Sequence, residues 1–244
     1  RAKKAGGTGL VLTRALRVLG QRHKDLKTGL TSPPRPTIPN LLNIATKPRW
    51  ALAMARTPRR QFRNIVGHVK GVTDLADLTA WTNEQFDPKL DWQKVIRIRD
   101  QWGGKLILKG VLDAEDSQMA VDAGADAIVV SNHGGRQLAG ALSSIRALHS
   151  IVRAVGGKKE VWLDSGIRSG QDVLKALGLG ATGTMIGRAY LHGLGAMGEA
   201  GVTAALEVIR KEMDITMALC GERTLGGFGR HNLLVPEDFE GRWG

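Results

Sequence analysis

Cysteine is almost absent. Cys220 is the only one in 244 residues, which excludes an internal disulfide and fits a reducing compartment. Long apolar runs are missing too, since no uncharged stretch approaches the roughly 18 residues that a membrane-spanning helix needs. The opening RAKKAGG leads into only a short apolar segment, so the pattern of a secretory signal is lacking. Acidic residues are scarce at one end. Residues 1–70 carry 16 Lys and Arg against a single acid, Asp25, a balance of +15 that leaves −3 for the rest of a chain whose total is +12. Such a region is either a solvated basic surface or one drawn to anionic lipid headgroups, where each basic side chain contributes about 1 kcal/mol. No nucleic-acid-binding motif and no interleaving of aromatic with basic residues accompanies the charge, so nucleic acid is not an expected partner. Arg1 stands where an initiating methionine would, and the chain is expected to be a piece of a longer one.

What is present has a clear rhythm. Short apolar runs at 8–13, 105–110, 125–132, 160–166 and 183–189 predict strands. Between the later runs, residues 114–124, 143–156 and 169–180 are apolar at helical spacing and each closes on glycine; Asp113 reads as the cap of the first of these helices. Strand and helix in alternation imply a parallel sheet with helices outside it. AVDAGADAIVVSN and KALGLGATGTMIG also share a small residue–Gly–Ala corner, Gly124 answering Gly180 at 56 residues' distance. A repeated corner suits a (β/α) barrel better than an open sheet. The predicted fold class is therefore α/β, a (β/α)8 TIM barrel read as a C-terminal fragment with about five of the eight strands, the others preceding Arg1. Residues 1–244 read as one barrel domain, with 23–100 as a long basic loop or insert inside it. Four prolines between residues 31 and 40 exclude a helix interior or central strand there.

SNHGGRQLAG, residues 131–140, follows the apolar ADAIVV directly. The unusual polar residues all fall at predicted strand ends: Thr13, Lys109, Ser131-Asn132-His133, Asp164-Ser165-Gly166 and Gly187-Arg188. In a β/α barrel that end is the catalytic face. A histidine there can remove a proton, and an arginine three residues on, Arg136, can grip an anion. Gly166 and Ser169-Gly170, between a strand and a helix, are expected to offer backbone N–H groups backed by the helix dipole as an anion seat. Gly187 and Arg188 resemble the second half of a barrel phosphate site. Lys109 ends LILK with glycine behind it; its ammonium either faces the barrel mouth, where it can hold negative charge on a reduced ring, or snorkels at the rim.

Several stretches together carry a resemblance: VLGQRHKDLKTG, LILKG, VVSNHGGRQL, VWLDSGIRSGQDVLKALGLGA, TMIGRAYLHGLGAMGEAGV and EMDITMALCGE. The chain resembles the FMN-dependent α-hydroxy acid dehydrogenases and oxidases. KPRWALAMARTPRRQFRNIVGH and WTNEQFDPKLDW are most similar to the bacterial quinone-linked L-lactate dehydrogenase branch. The resemblance implies FMN as cofactor, no metal, His133 as active-site base, and Arg136 with Arg22 on the substrate carboxylate. It implies Thr13 against the flavin ring and Lys109 at its N1/O2 edge. Ser131, Asp164, Ser165, Gly166, Ile167, Arg168, Gly187 and Arg188 would hold the rest of the cofactor and its phosphate. The implied reaction oxidises an (S)-2-hydroxy acid, with L-lactate favoured by the branch resemblance, to the 2-oxo acid and passes electrons from FMN to a quinone-type acceptor. The implied setting is peripheral, at the cytoplasmic face of the inner membrane, or alternatively cytoplasmic, in a homo-oligomer when full length. The chain departs from the family pattern at Ala15 and Ala139, where the family carries aspartates, and at Arg14 and Arg17, where it is usually apolar or small. An orienting aspartate lost from a histidine dyad costs orders of magnitude in rate. These departures favour the alternative expectation, an inactive remnant that keeps only phosphate or flavin binding. A non-flavin phosphate-binding barrel is disfavoured, because it needs no His-plus-Arg pair at that strand end.

Overall fold

The computed structural model describes residues 2–14, 20, 23–29, 37–58, 65, 81 and 87–240. The chain divides into two compact units, 16–89 and the combination of 1–15 with 90–244. The first of these contains three helices among its described residues: α1 (His23–Lys27), α2 (Ile38–Ala45) and α3 (Pro48–Arg56). A continuous loop was the expectation from the prolines. Instead Pro39 sits in the first turn of α2, a position where the missing N–H leaves no intrahelical bond unmade. The other three prolines lie outside the described residues.

The second unit holds the sheet. Strands β1 (Gly9–Thr13), β2 (Lys105–Val111), β3 (Ala127–Val130), β4 (Glu160–Asp164) and β5 (Gly183–Met185) alternate with α4 (Trp92–Trp102), α5 (Ala114–Asp122), α6 (Ser144–Val155), α7 (Gly170–Gly178), α8 (Arg188–Met197) and α9 (Glu199–Leu219). All neighbouring strands are parallel, and the spatial order is β1-β2-β3-β4-β5. Sequential order without reversal belongs to a β/α barrel; a doubly wound sheet reverses at its switch point. Side chains alternate along each strand. Leu106 and Leu108 of β2 and Val161 and Leu163 of β4 point into the buried core with Ile128, Leu148 and Ile151. Lys109 and Asp164 therefore project from the opposite face, with Thr13 in register beside Lys109 and Met185 beside Asp164.

The corner repeated in the sequence is one device used twice. At the end of α5, Ala125 N–H donates to the Ala120 carbonyl at 3.0 Å and Gly124 N–H to Val121 at 2.9 Å; at the end of α7, Ala181 donates to Ala176 at 3.0 Å and Gly180 to Leu177 at 2.9 Å. Gly124 and Gly180 adopt φ of 82° and 97°, the left-handed conformation this helix stop requires. The next residues, Asp126 and Thr182, donate to Leu106 and Val161 of the neighbouring strands at 2.8 and 2.7 Å. Each corner thus launches its strand in register. Asp113 caps α5 as predicted, accepting the N–H groups of Glu115 and Asp116.

Strand boundaries differ from expectation, with β1 starting at Gly9 and β4 ending at Asp164. β3 and β5 cover 127–130 and 183–185 only, and Arg188 opens a helix rather than closing a strand. β2 runs past Lys109 to Val111, with a register irregularity between the two. Arg14, unusual on sequence grounds, stacks on Trp92 of α4 at 4.2 Å and pairs with Asp116 of α5 at 3.5 Å. Its guanidinium ties the end of β1 to two helices. Ala15 and Arg17 lie outside the described residues. Among the described residues no helix is long and apolar enough to cross a membrane.

Candidate active site

At the C-terminal end of the sheet a cavity of about 230 Å³ is bounded by Lys109 of β2, by His133, Gly134 and Arg136 after β3, by residues 164–168 at the end of β4, and by Met185, Gly187 and Arg188 around β5. The expected His133 and Arg136 thus share one cavity with Lys109, Asp164, Ser165, Gly166, Ile167, Arg168, Gly187 and Arg188. Among the described residues its charged lining is four cations, Lys109, Arg136, Arg168 and Arg188, against one carboxylate, Asp164. Thr13 ends β1 next to Lys109 and is not part of the cavity wall. Arg22 lies outside the described residues. A larger, more apolar cavity of about 670 Å³ backs onto the same wall at Gly134, Ser165 and Gly166. Size does not decide between them, because the titratable groups converge in the smaller one.

Ser131 lies beneath the smaller cavity, 1% exposed. Its hydroxyl donates to Asp164 Oδ2 at 2.6 Å, accepts from Lys109 Nζ at 3.0 Å and accepts the His133 N–H at 3.1 Å. Lys109 Nζ also meets Asp164 Oδ2 directly at 2.6 Å, with the two side chains 15% and 16% exposed. Burial pushes the Asp164 carboxyl toward its neutral form more strongly than any other single influence. The hydrogen bonds from Lys109 and Ser131, with the Lys109 charge, together outweigh it and hold the group below the ordinary value of 3.8. Asp164 is therefore ionised and balances Lys109 on the cavity floor.

The wall is locally strained. His133 and Ser165 are the only non-glycine residues with positive φ among the described residues, at 55° and 83°, a conformation costing about 1–2 kcal/mol each. Such strain gathers where a side chain must be aimed. Asn132 supports the turn by accepting the Gly135 N–H at 3.2 Å. Arg188 donates to the Gly134 carbonyl at 3.1 Å.

The anion seat expected at Ser169-Gly170 is not there. The N–H groups of Arg168 and Ser169 both donate to Asp172 Oδ2 at 3.0 Å, and Gly170 N–H donates to Glu212 of α9 at 2.8 Å. The first turn of α7 is thus filled by the protein's own carboxylates. Gly170 serves packing instead: an added Cβ would lie 2.3 Å from Met213 N and 2.5 Å from the Ile209 carbonyl. The Ser169–Asp172 half of this arrangement is a capping box, legible as S-x-x-D. Glu212 has no such local signal, and neither has buried Ser144, whose hydroxyl donates to the Ser165 carbonyl at 3.1 Å. Elsewhere on the rim the backbone stays open, for a Cβ at Gly166 or Gly187 would meet nothing within 4 Å.

A sequential parallel sheet with a cationic cavity at its C-terminal rim defines a β/α-barrel protein built to hold anions. The chain belongs to the FMN-dependent dehydrogenase family, whose profile matches residues 1–234. It is 47% identical over 239 residues to the L-lactate dehydrogenase of Caulobacter sp. (strain K31), covering 98% of this chain and 62% of that protein. It is 42% identical over 238 residues to the L-lactate dehydrogenase of Ectopseudomonas mendocina (strain ymp), covering 97% and 62%. The crystal structure of the monotopic membrane protein (S)-mandelate dehydrogenase superposes with a TM-score of 0.88 at 36% identity over 96% of this chain and 61% of that one. The chain thus spans about three-fifths of the length of these relatives. FMN is the family's cofactor, and the residues present fit it. Its phosphate is a dianion, and the rim offers two guanidiniums, Arg168 and Arg188, beside the open backbone of Gly166 and Gly187.

Proposed function

We propose that this chain forms the C-terminal part of the site of an FMN-dependent (S)-2-hydroxy acid dehydrogenase, with L-lactate as substrate and a quinone as acceptor. One observation carries the reading: His133 and Arg136 line a single cavity with Lys109 and the Arg168–Arg188 pair. Arg136 pairs with the substrate carboxylate, matching its two oxygens as a lysine would not, and Arg22 is proposed as the second contact. His133 then accepts the proton released from the bound hydroxy acid. FMN, when bound, takes up the two electrons. Lys109 would supply positive charge to the ring and Thr13 is proposed against it; Asp164, Ser165 and Ile167, with Ser131 buried behind them, would hold the cofactor's middle, and Gly166, Arg168, Gly187 and Arg188 its phosphate.

The test is direct. FMN is added to the purified chain, and flavin absorbance is followed anaerobically as L-lactate, glycolate or (S)-mandelate is introduced. L-lactate is expected to bleach the flavin, and His133→Ala to keep FMN but lose the bleaching. Failure to bind FMN sinks the proposal. Binding without bleaching by any of the three acids favours the second reading, a remnant that retains only flavin or phosphate binding, which Ala15 in place of the family's aspartate supports.

Peripheral attachment at the cytoplasmic face of the inner membrane, in a homo-oligomer, belongs to the same proposal. It is supported by the basic balance of residues 1–70 and by α2 and α3, which expose Ile38, Leu41, Leu42 and Leu52 alongside Lys47, Arg49 and Arg56. Apolar and cationic side chains exposed together suit an anionic lipid interface.

A further inference from the structure

We propose that Ser165 is the positioning residue of the His133 loop: its hydroxyl, carried on a left-handed backbone at the end of β4, accepts the Gly134 N–H and fixes the imidazole's loop against that strand. The loop turns sharply, with His133 at φ 55°, and three consecutive amides in it have named acceptors. His133 N–H donates to Ser131 Oγ at 3.1 Å, Gly134 N–H to Ser165 Oγ at 2.9 Å and Gly135 N–H to Asn132 Oδ1 at 3.2 Å. Asn132 belongs to the same short segment and only shapes the loop, whereas Ser131 Oγ, bonded to Lys109 and Asp164, anchors the loop's base. Ser165 lies 31 residues beyond Gly134 in the chain. Its bond therefore joins the Arg188 donation to the Gly134 carbonyl in setting where the turn sits relative to Asp164, Gly166 and Arg168.

Ser165 is itself held from two sides. The Ser144 hydroxyl, on a residue 3% exposed, donates to its carbonyl at 3.1 Å. The Ser165 hydroxyl donates to the ionised Asp164 Oδ2 at 3.4 Å. A hydroxyl whose proton is directed at a carboxylate presents its lone pairs elsewhere, and here they face Gly134 N–H. The backbone at this position, φ 83°, is one that glycine adopts without strain and serine does not. The hydroxyl is what the serine adds. Engaged at Asp164 and Gly134, the hydroxyl acts within the protein, a role beside the residue's proposed place on the cofactor's path.

Two variants separate the hydrogen bond from the strain. Ser165→Ala removes the hydroxyl and keeps the strain; Ser165→Gly removes both. The readout is amide hydrogen exchange at Gly134, followed by NMR on the intact chain without cofactor. Exchange should speed up by about fivefold in both variants, the effect of losing one ordinary hydrogen bond, while the melting temperature of Ser165→Gly stays at or above that of Ser165→Ala. In the FMN-loaded protein kcat/KM should fall by a similar factor in both, and the acid limb of its pH profile should move. Unchanged exchange at Gly134 in both variants overturns the proposal. So does protection restored in Ser165→Gly, which would make strain the cause. The part played in turnover rests on the proposed function; if the unsubstituted chain oxidises no hydroxy acid, that reading fails while exchange at Gly134 still decides the placement of the loop.

Discussion

Replacing Asp164 with asparagine removes the only carboxylate among the described residues of the cavity lining. Lys109 Nζ would then face a neutral amide in place of a carboxylate oxygen at 2.6 Å, keeping Ser131 Oγ at 3.0 Å. Breaking one half of a fully buried pair costs about 3–5 kcal/mol. Here both side chains retain some exposure, 15% and 16%, and one partner survives, so a loss of about 2–3 kcal/mol is expected. In a domain of this size that lowers the melting temperature by roughly 5–10 °C. The pH dependence has a definite sign. The carboxyl is held below its ordinary 3.8 in the folded chain, so its contribution is complete above that value and fades as pH falls through the lower folded-state one. Urea denaturation should therefore separate the parent from Asp164→Asn at about pH 7 and at about pH 5, and the gap should close below about pH 4. Lys109→Met should rescue part of the loss, the double variant costing less than the two singles combined. A variant within about 0.5 kcal/mol of the parent at neutral pH, or a gap that persists unchanged in acid, would refute the pairing.

Gly170→Ala should destabilise the chain by about 1–3 kcal/mol, since the new methyl meets backbone atoms of α9 at 2.3 and 2.5 Å; an unchanged thermal melt, followed by circular dichroism, would show that α7 and α9 are not so closely seated. The membrane proposal is checked by cosedimentation with vesicles: anionic ones should carry the chain down, neutral ones should not, and salt should release it because exposed charges are screened within about 10 Å at 0.1 M. Equal binding to both vesicle types would remove the role of the basic region.

The local grammar of the barrel was legible in the sequence. Apolar runs located all five strands, Asp113 announced a helix start, and the Gly124 and Gly180 corners announced two helix stops. Each depends on residues within one turn of each other, where backbone preference alone decides the outcome. SNHGGRQL with DSGIR and IGRA was likewise enough to nominate nearly the whole cavity wall. The helices of 38–56 were not read from the sequence, where four prolines between residues 31 and 40 suggested a loop.

What the sequence settled alone was the alternation of strand and helix and the kinds of groups delivered to one rim. The partners those groups choose were settled by the tertiary structure. Lys109 finds Asp164 across 55 residues, Gly134 finds Ser165 across 31, and Gly170 finds Glu212 across 42. Such pairs depend on strand register and helix packing, which place distant residues within hydrogen-bond reach. No local pattern encodes that distance, so a motif foretold an anion seat at Ser169-Gly170 where the folded chain had already supplied its own carboxylates.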